Sequence, residues 1–274
     1  MTSGEDAGVH PPIRPPAVAG SFYPADPARL AETVDGLLDA AAPAQQGLPP
    51  DAGRVRAVVV PHAGYPYSGA VAAAAFVRLV GQRPPGVVLV GPAHFAPIVG
   101  CVVPQATQWR TPLGTLPVDT TLRDTAMHTG LVRADDRPHA PEHSLEVQLP
   151  FLQRTLGRLP VLPVAAHAPT AAVADLLDAV TRDTSTIVLV STDLSHYRPD
   201  PLARELDAHT AAAILDLRPD RIADPAACGV HALRGLLAWA SRHGLTPHQL
   251  MLGTSADTGG DPDRVVGYAS FAFT

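Results

Sequence analysis

The sequence predicts an α/β fold: a single-domain three-layer sandwich whose mostly parallel or mixed central sheet carries helices on both faces. Three observations support this. First, short β-branched or continuous apolar runs recur at 54–60 (RVRAVVV), 87–90 (VVLV), 161–164 (VLPV) and 186–190 (TIVLV). Such runs suit strands covered on both faces, as in parallel sheets, whereas a strand with one wet face alternates. Second, Ala-rich or amphipathic stretches of helical length separate most of these runs. Third, hydrophobic residues make up 46% of the chain and aromatic residues only 5%, so the interior is built mainly from aliphatic side chains.

Taken in order, the polar, proline-rich opening MTSGEDAGVHPPIRPP reads as a flexible, surface-draped arm over 1–16, with one domain over 17–274. It resembles neither a secretory signal nor an Arg-rich transit peptide, and the expected location is cytoplasmic. A first helix is expected at 27–40, followed by a surface loop at 41–53. The strand at 54–60 ends at Pro61, and GAVAAAAFVRLV at 69–80 reads as a helix. Further helices are expected at 144–156, 171–181, 201–215 and 229–240. HQLMLGTS and RVVGYASFAF supply closing strands that are free to run antiparallel. A length of 274 residues suits one elaborated domain. No stretch reaches the ~18 to 20 uninterrupted apolar residues of a membrane helix.

Charge narrows the range of partners. Twenty Lys and Arg against 26 Asp and Glu give a formal charge of −6, with no basic cluster. Nucleic acid and anionic membrane surfaces are therefore not expected partners. Cys101 and Cys228 are far apart in sequence and read as free thiols, Cys101 within the core segment GCVV.

In open α/β sheets ligands bind beyond the carboxyl ends of the strands, and three apolar runs end in histidine motifs there. Pro61-His62-Ala63-Gly64-Tyr65 follows the first, Gly91-Pro92-Ala93-His94 the second, and Ser191-Thr192-Asp193-Leu194-Ser195-His196 the last. Imidazoles converging from neighbouring loops are a common first shell for a transition metal. The third ligand has two candidates. Asp193 would give a two-histidine, one-carboxylate set, and Cys228 a softer set with a thiolate. The context of Cys228, in DPAACGVHALRGLLAWA, favours it, because a helix start stabilises a thiolate. Asp193 and His196 suit proton transfer, with the carboxylate orienting the imidazole. In PEHSLEVQLPF, His143 is the functional candidate, Glu142 has no assigned role, and Glu146 is expected to complement a helix dipole. Tyr65 and Tyr67 line either the pocket or a loop. The other histidines, including His139, His167, His209 and His231, carry no assigned role, and the Gly-rich bend in GTSADTGGDPDR lacks a phosphate-loop pattern.

The ordered motifs AVAGSFYPADPARL, VVPHAGYPYSGAVAAAAF, GPAHF, EHSLEVQLPFL, STDLSHY, ACG and GTSADTGGDPDRVVGYASFAF resemble the Memo family, whose prokaryotic members are called AmmeMemoRadiSam system protein B. The resemblance covers nearly the whole chain beyond Ile13. It implies a fold similar to the class III extradiol, LigB-type, non-haem iron dioxygenases. It also implies a metal centre of His62, His94 and Cys228, with Asp193 and His196 beside it. Iron is the first expectation for the metal and copper the second. AMMECR-type and radical SAM proteins are the implied partners, with an unknown small molecule or peptide as substrate. Two functions follow as expectations: a dioxygenase-like oxidoreductase using His196, Asp193 and His143, or a non-catalytic metal-stabilised module that binds a peptide or small acidic ligand.

Overall fold

The computed structural model describes residues 12–42, 53–182 and 185–274. In chain order the first half contains β1 (Ile13–Arg14), α1 (Pro27–Ala41), β2 (Ala57–Val60), α2 (Tyr65–Phe76), β3 (Val87–Gly91), β4 (Gly100–Val103), β5 (Gln108–Thr111), β6 (Gly114–Pro117), α3 (Thr120–His128) and β7 (Val132–Ala134). The second half contains α4 (Leu149–Thr155), β8 (Val161–His167), α5 (Thr170–Thr181), β9 (Ile187–Ser191), β10 (His196–Arg198), α6 (Asp200–Leu215), α7 (Val230–Arg242), β11 (Pro247–Thr254) and β12 (Val265–Phe273).

The four apolar runs form the centre of the main sheet. Strands β2, β9, β3 and β8 lie side by side in that order, all parallel. Beyond β8 come antiparallel β4 and then β7, while β12 runs antiparallel to β2 and carries β11 and β10. The sheet is therefore mixed, with the closing strands antiparallel. Side chains alternate between two separate cores. Ala57, Val59, Val88, Val90, Val188 and Val190 face α5, α6 and α7, whereas Val58, Val60, Val87, Leu89, Ile187 and Leu189 face α1, α2 and α4. Both faces are dry, which is why these strands read as continuous hydrophobic runs.

Local chemistry sets several element ends. Asp26 caps α1 by accepting from Arg29 N at 2.9 Å, with Pro27 at the first helical position. Helix α2 starts at Tyr65, earlier than expected, because Pro66 is accommodated in its first turn. The helix expected over 144–156 is split into a 3-10 turn at Glu146–Gln148 and α4 from Leu149. Pro150 has no N–H to give the Glu146 carbonyl, so a continuous α-helix cannot close its hydrogen bonds there.

The expected N-terminal arm needs correction at its inner end. Residues 1–11 lie outside the described residues, as does most of the loop expected at 41–53. Ile13 and Arg14, however, pair with Gln108 and Trp109 in a small sheet ordered β1-β5-β6. Arg14 is buried, so the folded domain includes this segment. No helix among the described residues is long and apolar enough to cross a membrane.

Candidate metal centre

The topology explains how the three histidine motifs meet. Strand β9 lies between β2 and β3, and the register pairs Val60 with Ser191 and Val90 with Val190, so the three strands end at one level. Strands about 4.8 Å apart that end together bring the residues just beyond them into one cleft. That cleft, of about 550 Å³, is lined by His62, His94, His143, Asp193, His196 and Cys228, all six of the residues singled out from the sequence. Phe22 and Tyr197 complete its rim. Tyr197 adopts φ 57°, a left-handed backbone unusual outside glycine, and Arg264 stacks over its ring at 4.5 Å.

Hydrogen bonds fix which nitrogen each imidazole presents. Ser191 Oγ donates to the Ser144 carbonyl at 2.7 Å and accepts from Gln148 Nε2 at 2.9 Å. Its proton is thus committed, and the 2.9 Å contact with His62 Nδ1 requires that nitrogen to be the donor. His62 Nε2 is left with its lone pair. His94 is held in the same way: Nδ1 donates to Glu142 Oε1 at 2.9 Å, and the backbone N–H donates to Glu142 Oε2 at 2.5 Å. His196 Nδ1 donates to the Leu194 carbonyl at 2.7 Å. An outer acceptor that fixes the tautomer is the usual setting of a metal-binding imidazole.

His62, His94 and His143 each offer a ligand atom, and these atoms lie within 4.8 Å of one another, a group able to hold a metal ion. The rings make a tight triangle, with centroids 4.7 to 5.4 Å apart. His143 Nδ1 is buried without a hydrogen bond, 3.4 Å from Glu142 Oε1. Burial holds His62 well below the ordinary histidine range, and the neighbouring imidazoles add to this. Burial likewise lowers His143 to about 4 and also depresses His196. Burial alone would raise Glu142, but its hydrogen bonds and charge interaction with His94 prevail and bring it to about 2. Imidazoles around a buried carboxylate, one with an orphaned nitrogen, fit a bound cation.

Cys228 stands at the other side of His62, its Sγ 3.1 Å from His62 Nε2, and it accepts from Asp193 N at 3.2 Å. Gly229 brings it there, because a Cβ at that position would lie 2.8 Å from the Ser191 carbonyl oxygen. Contrary to the expected stabilised thiolate, the protein groups around Cys228 favour the neutral thiol. Helix α7 starts two residues later, and burial together with the nearby Asp193 carboxylate pushes the thiol upward, outweighing the Asp193, Thr192 and Gly229 donors. A cation would reverse that balance by favouring the thiolate.

Asp193 also differs in role from the expectation. Its Oδ1 accepts from the His62 backbone N–H at 2.7 Å, while His196 is oriented by the Leu194 carbonyl instead. Burial raises Asp193 to about 7 despite that N–H bond. Glu146 complements no long helix. It is fully buried and accepts from Arg14, from Ala17 N at 2.7 Å, from Val18 N at 3.0 Å and from Tyr23 Oη at 2.5 Å. It thereby ties down the segment that lays Phe22 against His143, with ring centroids 4.7 Å apart. Tyr65 packs beneath the site, its hydroxyl donating to the Val147 carbonyl at 2.7 Å, and Tyr67 is exposed. Sequence reasoning missed Glu142, Gln148 and Ser191 as orienting groups. The available signal was their place in motifs already singled out, beside His143 and Asp193.

The chain is similar to known proteins over nearly its whole length. The family described as Memo-like protein matches residues 14–272. A MEMO1 family protein of Sulfolobus acidocaldarius is 36% identical over 282 aligned residues, covering 95% of this chain and 99% of its own. One from Methanothermobacter thermautotrophicus is 33% identical, covering 94% and 99%. A third, from Aquifex aeolicus, is 34% identical, covering 95% and 99%.

Proposed function

The chain belongs to the Memo-like protein family, and from that premise we propose that it is a metal-dependent redox protein, an oxidoreductase that uses iron, or failing that copper, with O₂ as oxidant. The observation that carries this reading is the pair His62 and His94, each with Nδ1 held by an acceptor so that Nε2 keeps its lone pair, converging with Cys228 and His143 in one cleft. In this reading His62, His94 and Cys228 hold the ion. His143 lacks the outer acceptor that a ligand imidazole normally has, so it stands beside the ion as an acid/base group. When bound, the metal would supply a one-electron redox centre and a Lewis acid.

The protein's own groups perform the remaining work. His196, with Nδ1 bound to Leu194, keeps Nε2 as a proton acceptor, and its lowered basicity leaves it neutral at pH 7. Asp193 fixes the His62 backbone and, as a buried acid near neutrality, is able to release or take up a proton. Phe22 packs on His143 and limits water on that side of the cleft.

Elemental analysis after anaerobic loading with Fe(II) or Cu(I), followed by O₂ uptake, tests this. About one equivalent of metal is expected. His62→Ala, His94→Ala and Cys228→Ser should lose it. His143→Gln and His196→Gln should keep it and lose most O₂ uptake, on the order of a hundredfold. If His143→Gln loses the metal while Cys228→Ser keeps it, the three histidines are the ligands. Metal binding with no metal-dependent O₂ uptake would instead favour a metal-stabilised binding module.

A further inference from the structure

Beside the metal cleft lies a second cavity of about 440 Å³, formed where β10, α6 and the 3-10 turn Asp224–Ala226 meet. His196 belongs to the walls of both cavities, so the two share one imidazole. The lining of the second cavity divides into two kinds. Leu206 and Pro225 give it an apolar side, with Leu206 left 41% exposed. Arg198, His209 and Arg221 give it a basic side.

Charge distribution sets this cavity apart from the metal cleft beside it, whose lining includes Asp193. The chain carries a formal charge of −6, yet no Asp or Glu is among the described residues lining this cavity. Arg221 pairs with Asp216 at 3.1 Å in an exposed contact, which solvent weakens. Among the described residues Arg198 makes no ion pair and donates no side-chain hydrogen bond. A concave surface with apolar walls and only basic charge favours a ligand with an apolar body and an anionic group. A planar guanidinium suits a carboxylate or a phosphate equally well.

We propose that this cavity is a substrate subsite that takes the anionic, apolar-bodied end of an elongated small molecule whose reacting end lies across His196 in the metal cleft. The assignment of a reacting end rests on the metal-centre reading above. The subsite itself rests on the lining and its charge. It narrows the substrate class to amphipathic carboxylates or phosphate esters, and it gives His196 a position between the two halves of the substrate. Arg198 and Arg221 are accordingly specificity residues, distant from the redox step.

Anilinonaphthalene sulfonate, a fluorescent amphipathic anion, serves as the probe, titrated into the full chain with and without metal. One saturable site is expected, weakened about tenfold in Arg198→Ala and in Arg221→Ala. Leu206→Glu should abolish binding, and His62→Ala should leave it unchanged. All three subsite positions are surface side chains, and circular dichroism checks that each variant is folded. Octanoate and octyl phosphate should displace the probe, the stronger of the two identifying the anionic group, while octanol should not. Octanoate should also shift the side-chain resonances of His196 and leave those of His167 unmoved. Metal content is measured on the same samples, so arginine-dependent binding to a chain that takes no metal would keep the subsite and remove only the redox reading. Probe affinity in both arginine variants equal to that of the parent chain, displacement by octanol as readily as by octanoate, or an unmoved His196 would overturn the proposal.

Discussion

At the scale of single residues, the histidines divide by what holds Nδ1. Ser191, Glu142 and Leu194 each take an Nδ1 proton in the cleft, and what distinguishes the three imidazoles is the neighbour facing the other nitrogen. His139 shows the contrasting case, a histidine buried for structure. It is fully buried with Nε2 against the Val102 carbonyl, and burial lowers it to about 4, an effect the carbonyl only partly offsets. Between pH 4 and 6.5 the unfolded chain therefore binds a proton there that the folded chain does not, so stability rises with pH across that window. The penalty is complete below pH 4, at about 3 kcal/mol, and absent above 6.5. His139→Gln keeps an amide donor in place of the ring and cannot charge. Denaturant midpoints measured from pH 7 to pH 4 should fall less steeply for this variant than for the parent. Parallel curves would show that His139 is not the group responsible. His62 and His94 were legible in the sequence because position after an apolar run is local information. Glu142, Gln148 and Ser191 were not, since their roles arise from contacts such as that between Gln148 and Ser191, 43 positions apart.

At the scale of elements, α7 shows how packing delivers a ligand. It approaches α5 so closely that a Cβ on Gly235 would fall 2.3 Å from Val173 Cγ1, and its start meets the end of β9 through Gly229. These two glycines separate stability from function. Gly235→Ala should cost about 1–2 kcal/mol, an overpacking penalty reduced by the better helix propensity of alanine. Metal affinity in this variant should stay within about twofold. Gly229→Ala pushes the backbone beside Cys228 away from Ser191 and should lower metal affinity at least about tenfold. Calorimetric metal titrations and thermal melts of both variants check this, and equal metal loss in the two would mean that α7 moves as a rigid unit. The parallel strands were readable because β-branched runs dry on both faces have one clear pattern. Strands β5 and β6 were not, because QWRT and GTLP are only four residues each and bury two side chains and one. The split ahead of α4 follows from Pro150, a local rule that applies inside the stretch expected to be one helix.

At the scale of the whole molecule, the fold is closed by its own beginning. Arg14 reaches across to the carbonyls of His139 and Glu142, at 2.9 and 2.6 Å, and to the Glu146 carboxylate. The segment around His143 and the N-terminal segment bearing Phe22 are therefore fastened by one buried ion pair with both partners desolvated. Such a pair is costly to break, because the surviving charge has no water to turn to. Glu146→Ala leaves the Arg14 guanidinium and the donors of Ala17, Val18 and Tyr23 without their acceptor, and should lower stability by about 3–5 kcal/mol. Arg14→Met should cost less, since Glu146 keeps the other three donors. Hydrogen exchange gives the spatial test. Protection in residues 13–23 and 139–146 should fall together in Glu146→Ala, while α5 and α7, packed on the opposite face of the sheet, keep theirs until global unfolding. Loss confined to residues 13–23 would instead mean that the His143 segment is held by Ser144 and Gln148 alone, and that the N-terminal strap only covers a centre already built without it.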